Sequence, residues 1–525
     1  MSPPFDRWLG REPRAAGERP TRPARRPKAG GLLAGTVLVL LARFSPEAGA
    51  VPIDEPHVGG IGFSGATTGD LAAVYWNPAA LGLMRGLNVT LGGTGRLSTT
   101  TVSRASIDAQ GLPGSGTTFP DARAVDRSHP LSWPPGPGAF AGVSYDVGGD
   151  RMTLALASYL PFVDRSTYEA TAGVPLATRY HRVATDFRNL AIVTALAVRL
   201  AGDFRLGFAP GVVLSTGRLS FSESTCAVNG NCAGPEDPAA DAQLDLGSNP
   251  GILASTAALT LAGGLYFRRR TWEFGLSFSS RPLGNLGGAA VIVGDQSQVT
   301  RAPRDVTAST PATVTCDNGR ADGRGCVFAD ISTKLPYMMI GTVAWHPRPG
   351  WEVAGTARIL SFPSGDVIDI RLTGATLAAT GIPEHIVLYR GYGTVVDTRL
   401  RVAHWFTERV RIGAGLRVES SALPADAVSA AAVDGRKFEP TAMIQVQPVR
   451  HVWIAAGYGF TYMMPVTASS SIFDPTAADR CARTGGDLSA GQPCLLRIEG
   501  LARGTAAGSY HHFEHDFSLS MTAQF

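Results

Sequence analysis

The sequence of the 525-residue chain predicts an all-β fold, a 14-stranded antiparallel transmembrane β-barrel. Three observations support this fold class: apolar and polar residues alternate along many segments, short and long connections follow each other in turn, and no window of 18 apolar residues follows residue 50. Alternation is typical of strands whose two faces meet different environments. Because lipid offers no partner to backbone polar groups, a chain without apolar helices crosses a membrane only as a closed barrel.

Period-two alternation defines the predicted strands. Along residues 410–419 every second residue is apolar, and the residues between them are small or polar. Fourteen such segments can be counted, an even number, as single-chain bacterial outer-membrane barrels have. Their predicted bounds are 86–104, 138–148, 151–161, 180–201, 204–222, 252–268, 271–281, 332–346, 350–362, 387–406, 409–421, 438–449, 451–464 and 513–525.

The connections between these segments are sorted by length. Those after even-numbered segments have one to four residues, whereas those after odd-numbered segments are long. Short periplasmic turns that alternate with long extracellular loops are typical of outer-membrane barrels, so we predict that the short connections face the periplasm. The longest connections are 105–137, 223–251, 282–331 and 465–512.

Five of the eight tryptophans lie within a few residues of the short connections. Aromatic girdles mark the level at which a barrel leaves the lipid, which predicts a girdle on the periplasmic side. Trp453 falls on the inward face of its strand, so a bulge or a misassigned face is expected there. The five residues are Trp272, Trp345, Trp351, Trp405 and Trp453.

Residues 1–50 are predicted to be a secretory signal peptide. After a basic, proline-rich start, an apolar stretch occupies residues 29–42, and Ala48-Gly49-Ala50 forms a small-residue site, so cleavage is expected after Ala50. The apolar stretch is shorter than the roughly 20 residues that a membrane span needs. An uncleaved anchor and twin-arginine export are the alternatives.

The net charge of +4 comes from this N-terminal segment. Residues 1–50 contain nine Lys/Arg and four Asp/Glu, which leaves 38 basic and 39 acidic residues in the rest of the chain. Affinity for nucleic acid depends mainly on positive charge, so no nucleic-acid partner is expected.

The six cysteines form three pairs, each within one long connection. An even number of cysteines in an exported chain predicts disulfides, which here would stiffen the outer loops. A metal site is the alternative, although no spacing resembles CxxC. The predicted pairs are Cys226 with Cys232, Cys316 with Cys326, and Cys481 with Cys494.

Residues 57–91, HVGGIGFSGATTGDLAAVYWNPAALGLMRGLNVTL, lie between the signal and the first strand. Their GxGxxG match has no preceding strand and no βαβ unit after it, so it does not predict a dinucleotide site. The small residues of 60–69, the run 70–75 and the triplet Asn77-Pro78-Ala79 resemble the N-terminal plug of the FadL/TodX family, outer-membrane transporters of long-chain fatty acids and aromatic hydrocarbons. Small residues pack closely against a wall, and Asn-Pro is a strong turn former.

The resemblance implies that residues 51–84 form a plug, or hatch, inside a barrel of residues 85–525, and that the barrel passes hydrophobic compounds passively across the bacterial outer membrane. In the family a kinked third strand opens the wall sideways. Here the third segment has no internal glycine and Pro161 comes only at its end, so release sideways or into the periplasm stays open. The substrate-binding and plug residues implied are Asn77, Pro78, Ala79, Phe63 and Tyr75.

The expected partners are a hydrophobic small molecule, outer-membrane lipid and lipopolysaccharide, and the barrel-assembly machinery. A final strand that ends on Phe525 resembles the sequence by which that machinery recognises barrels. A monomer without cofactor, metal or enzymatic activity is expected. The polar cluster 511–516 is the candidate for a metal or acid–base site, but such side chains at a barrel rim are more often only solvated.

Two other functions fit a barrel of this kind. A diffusion porin for polar solutes would have more opposed charges in the lumen than the Gly, Ala and Thr expected here, and would conduct equally well without residues 51–82. A structural or adhesive barrel would bind a surface partner through its disulfide-bonded loops. A barrel enzyme ranks below both.

Overall fold

A computed structural model describes most of the chain. The predicted signal peptide with its cleavage site after Ala50, and all six cysteines with their three predicted disulfides, lie outside the described residues. Those residues are 57–107, 113–118, 120–128, 138–169, 175–224, 241–247, 257–282, 289–301, 312–314, 327–362, 366–373, 383–474 and 503–525.

Fourteen antiparallel strands form the wall, and each overlaps one of the predicted segments, so the predicted fold class is confirmed. The strands are β1 Leu87–Ile107, β2 Phe140–Asp146, β3 Met152–Glu169, β4 Ala184–Ala201, β5 Phe204–Ser224, β6 Ala257–Arg269, β7 Trp272–Ser279, β8 Tyr337–Trp345, β9 Trp351–Ser361, β10 Thr394–Thr407, β11 Val410–Glu419, β12 Lys437–Val449, β13 Val452–Met463 and β14 Gly508–Gln524.

The first and last strands close the sheet into a barrel. β1 pairs with β14 in one unbroken register, from Asn88 opposite Gln524 to Arg104 opposite Gly508. Closure removes the open edges that a flat sheet would expose, so the wall strands can satisfy their backbone polar groups within lipid.

Shorter elements lie in the long connections and before β1. Within the described residues the helical elements are α1 Ala73–Trp76 and the 3-10 helices Pro78–Leu83 and Ala425–Ala427. None of the described helices is long and apolar enough to cross a membrane. The additional strands are Pro113–Thr118, Ala122–Ser128, Asp241–Gly247, Ala289–Arg301, Ala312–Val314, Val327–Lys334, Val367–Thr373, His385–Tyr389 and Val466–Ala468.

The outward face of the wall is apolar all the way round. Along β14, Phe517 and Leu519 are 55% and 62% exposed, whereas the alternate residues Asp516 and Ser518 are 0% and 8% exposed. Each of the 14 wall strands carries large exposed apolar side chains in the same way. Water-soluble proteins do not expose a continuous apolar belt of this size, so the belt faces lipid.

Three of the five tryptophans predicted for the girdle lie on the outward face. Trp345 and Trp351 are each 41% exposed, and Trp272 stacks on Trp345 with ring centroids 5.7 Å apart. The girdle prediction is wrong for Trp405 and Trp453, which meet in a T-shaped contact at 5.6 Å inside the barrel. Both rings follow the regular alternation of their strands into the lumen, since Trp405 pairs with the buried Arg411 and Trp453 pairs with Thr522, which lines an interior cavity.

Candidate substrate passage and N-terminal segment

The N-terminal segment, residues 57–84, runs across the inside of the barrel and contacts strands from opposite parts of the wall. It packs on side chains that face inward, and it both donates and accepts hydrogen bonds. The bonds are Ile61 N–H to Ser518 Oγ (2.9 Å, β14), Arg401 to the carbonyl oxygens of Gly62 (3.3 Å) and Ser64 (3.0 Å, β10), Ala66 N–H to Thr342 Oγ1 (2.9 Å, β8), Asn77 Nδ2 to the Leu265 carbonyl (2.9 Å, β6) and Arg205 Nε to the Gly82 carbonyl (3.2 Å, β5).

Three wall glycines make this close approach possible. A Cβ atom on Gly264 would overlap Oδ1 of Asn77, and one on Gly207 would overlap the backbone of Pro78 and Ala79. Gly207 and Gly264 are direct neighbours across β5 and β6. Gly275 on β7 leaves similar room for the backbone of residue 66. The bare backbone of three adjacent strands therefore forms a seat for the segment.

Asn77, Pro78 and Ala79 lie fully inside this seat. Asn77 Nδ2 donates to the carbonyl oxygens of Ala66 (2.7 Å) and Leu265 (2.9 Å), while its Oδ1 accepts from Ala79 N–H (3.1 Å) and caps the 3-10 helix that Pro78 begins. One side chain thus ties the segment to itself and to the wall. The predicted turn is present, and a direct contact of these residues with substrate stays a prediction.

The other two predicted site residues lie apart from each other. Tyr75 joins an aromatic cluster: its ring lies 5.1 Å from that of Trp76 and 5.5 Å from that of Tyr159, which stacks on Phe140 at 6.4 Å. Phe63 instead lies beneath a guanidinium, with Cζ of Arg411 4.6 Å from its ring centroid. Only Tyr75 therefore borders the apolar interior between the segment and the long connections.

Three connections cover the outer end of the lumen: residues 175–183, 420–436 and 503–507, most of whose described side chains are buried. Arg182 links them to the wall, because its guanidinium donates to Asp164 (2.8 Å) on β3 and to the Ala431 carbonyl (2.8 Å). Nε2 of His181 lies 2.8 Å from the Gly504 carbonyl. Burial, with help from Arg104, lowers the pKa of His181 to about 3, so the neutral ring donates this hydrogen bond.

The inward faces of β9 to β12, β14 and β1 carry a lattice of buried ion pairs, so the expected lumen of Gly, Ala and Thr was wrong. Asp397 accepts from Arg358 (2.7 Å), Arg399 (2.7 Å) and Arg417 (3.2 Å), and Arg417 also contacts Glu439 (2.9 Å). The alternation contained this information, since charged residues occupy every second position of 397–401. Their partners come from other strands and were not identified from the sequence.

His57 and the polar cluster near the C-terminus belong to the same lattice. Nε2 of His57 lies 3.3 Å from a Glu439 oxygen and 3.4 Å from an Asp516 oxygen, and all three side chains are buried. Arg96 on β1 contacts both Glu514 (3.1 Å) and Asp516 (3.3 Å). The two acids of the 511–516 cluster are therefore engaged in structural ion pairs.

A cavity lies below the segment, on the side of the short connections. Phe63, Leu71 and Trp453 give it an apolar surface, and Asp70 adds a carboxylate. Burial raises the pKa of Asp70 to about 6, although nearby backbone amides and the guanidinium of Arg401 oppose this rise. The polar side of the cavity consists of Thr90, Gln445, Ser518, Ser520 and Thr522.

The titration of Asp70 predicts a pH dependence of stability. Because its folded pKa of about 6 exceeds the ordinary 3.8, the folded protein holds more protons than the unfolded chain between these values. The free energy of unfolding should fall by about 1–3 kcal/mol as pH rises from 4 to 7. Urea titrations in micelles across this range measure it. Asp70→Asn should remove this decrease in unfolding free energy between pH 4 and pH 7. If the variant shows the same decrease as the wild-type chain, Asp70 is not its source.

Strand pairing between β2 and β3 is interrupted within the described part of the wall. Within the described residues, β3 pairs with β2 over Thr153–Tyr159 and with the strand Ala122–Ser128 only at Tyr168 and Glu169. On its other side β3 shifts register between Tyr159 and Phe162, next to Pro161. The third strand therefore carries an irregularity that its lack of internal glycine did not predict.

The closed 14-stranded wall and its apolar belt define a transmembrane β-barrel. No family model and no curated protein matches the sequence. The fold, however, is similar to that of solved structures. A Pseudomonas aeruginosa FadL homologue superposes with a TM-score of 0.64 and 13% identity, over 91% of this chain and 100% of that one. The Pseudomonas putida toluene transporter TodX has a TM-score of 0.53 and 12% identity, over 91% of this chain and 98% of its own, and the Ralstonia pickettii toluene transporter TbuX has a TM-score of 0.53 and 11% identity, over 91% and 99%. These likenesses confirm the predicted FadL/TodX fold.

Proposed function

We propose that this chain is a passive channel for hydrophobic compounds in the bacterial outer membrane, with residues 57–84 as its plug. The observation that carries the proposal is the continuous apolar cluster inside the barrel. It connects α1 of the segment, through Tyr75, Tyr159 and Phe140, with the buried connections of the outer end. The structural neighbours, which include toluene transporters and a FadL homologue, support the same function.

In this proposal, burial of apolar surface supplies the driving force. A hydrophobic molecule leaves water among the outer loops and gains about 25 cal/mol for each Å² of apolar surface that it buries. It then passes the aromatic cluster and leaves sideways beside β3, where the pairing between the described strands is interrupted. This route involves no bond making or breaking and no cofactor.

The charged lattice must be weighed against the alternative function, a porin for polar solutes, because opposed charges in the lumen are the feature expected of a porin. Its acids and guanidiniums contact one another and are buried, as Asp397 (0% exposed) and Arg358 (3%) are. Charges that neutralise each other in a packed interior do not line a water-filled path. Deleting residues 51–82 separates the two functions, because a porin would conduct equally well without them.

Phe525 fits the proposed recognition by the barrel-assembly machinery. The residue is 72% exposed at the end of β14, and it exchanges backbone hydrogen bonds with Leu87 at the start of β1 (2.8 and 3.0 Å). Its ring is thus presented at the seam where β14 pairs with β1. An outer-membrane location, a monomer and the three loop disulfides complete the proposal.

The plug role is tested with Asn77. Asn77→Ala or Pro78→Ala should reduce uptake of a labelled hydrophobic substrate by vesicles without preventing barrel assembly, because either change weakens the attachment of the segment to its seat. Asn77→Asp separates the contributions: it keeps the oxygen that caps Ala79 but loses the amide that bonds Leu265. Unchanged uptake in both Asn77→Ala and Pro78→Ala would refute the assigned role.

A further inference from the structure

The end of the barrel that carries the short connections is rimmed by arginine. Its turn segments contain nine arginines and four acidic residues, an excess of five positive charges. The chain from residue 51 onward has 38 basic and 39 acidic residues, so this excess is concentrated at the rim. The segments are 85–86, 146–151, 199–203, 268–271, 346–350, 407–409 and 450–451.

Most of these arginines have no acidic partner within the described residues. Arg85 and Arg199 contact Asp150, and Arg268 lies 3.7 Å from Glu273. The other six are exposed and take part in no ion pair among the described residues, and they represent five of the six short connections. They are Arg151, Arg269, Arg270, Arg348, Arg409 and Arg450.

These guanidiniums lie directly beside the apolar belt. Trp345 and Trp351, each 41% exposed, flank the turn of Arg348, and Phe406 (63%) and Val449 (59%) precede Arg409 and Arg450. Such aromatic and apolar side chains mark the level at which hydrocarbon ends and phospholipid headgroups begin. The rim therefore lies at headgroup height.

We propose that this rim binds the anionic phospholipid headgroups of the adjoining leaflet, with these six exposed arginines as ligands. A guanidinium presents a planar fork that matches two phosphate oxygens, and basic residues at a membrane surface attract anionic lipid. The turns project only a few residues beyond the wall, so they offer little surface to a folded partner but are well placed for headgroups. This site is separate from the passage inside the barrel, and it binds whether or not the barrel conducts.

The test measures lipid retention by native mass spectrometry of the purified chain in micelles that contain equal amounts of phosphatidylglycerol and phosphatidylcholine. We expect the wild-type chain to retain phosphatidylglycerol about tenfold over phosphatidylcholine at low salt, and the preference to shrink at high salt. A variant with all six arginines changed to Gln should lose the preference. If that variant fails to fold, Arg269→Gln/Arg270→Gln/Arg348→Gln should at least halve it.

A matched control carries Arg123→Gln, Arg127→Gln and Arg371→Gln, three exposed arginines in the long connections, and should keep the full preference. At constant ionic strength, exchanging chloride for inorganic phosphate should leave lipid retention unchanged, because the site is built for headgroups held beside the belt. Equal retention of both lipids by the wild-type chain, or an undiminished preference in the six-arginine variant, overturns the proposal. Displacement of the lipid by free phosphate at that same ionic strength overturns it as well.

Discussion

Gly264→Val is expected to unseat the N-terminal segment while the barrel stays closed. Valine suits a strand, and β6 is held by pairing with β5 and β7, so the wall does not yield. The new Cβ would occupy the position of Asn77 Oδ1, and the segment must move away. The Asn77 bonds to Leu265 and Ala66 would then be lost.

Two measurements report this displacement. Hydrogen exchange at residues 66–80 should accelerate while exchange in the wall strands stays slow, and the single-channel conductance in planar bilayers should rise severalfold. Overpacking of this kind also costs about 1–3 kcal/mol of unfolding free energy. Because hydrogen exchange reads out the segment directly, the result does not depend on knowing the substrate.

Gly355→Val is the matched control for this substitution. Gly355 lies on β9 with its Cβ position directed away from the protein, and no atom lies within 4 Å of that position. The same change there should leave both exchange and conductance at wild-type values. Equal behaviour of the Gly264 and Gly355 variants would show that the glycine seat does not hold the segment.

The seat for the N-terminal segment could not be predicted from the sequence, whereas the wall could. Strand count, loop parity and closure could be predicted, because alternation and turn length are local properties of the sequence. Gly207 and Gly264 were visible only as small residues. Their role is to leave room for residues 77–79, and Asn77 is 187 positions from Gly264 in the chain. No periodic pattern records such a contact.

The charged lumen was missed for a related reason. Arg96 and Asp516 are 420 positions apart and meet only because β1 closes on β14. From the sequence, polar residues on the inward face could equally have lined water or paired with one another. Which of the two holds depends on the packing of residues 57–84 and of the outer connections against that face, and this is a property of the assembled barrel.

The second large effect is expected at the centre of the lattice. Asp397 is fully buried and is contacted by three guanidiniums, those of Arg358, Arg399 and Arg417. Asp397→Asn removes the negative charge and leaves these cations facing one another in a packed interior. Breaking a buried pair from one side typically costs about 3–5 kcal/mol. Urea unfolding in micelles should show a loss of this size.

An exposed acid provides the comparison. Asp150 contacts Arg85 and Arg199, but its side chain is 37% exposed, so Asp150→Asn should cost less than about 1 kcal/mol. Adding Arg358→Gln to Asp397→Asn should restore part of the lost stability, because it removes one of the uncompensated cations. If Asp397→Asn costs no more than Asp150→Asn, the lattice is hydrated, and the argument against a water-filled path for polar solutes fails with it.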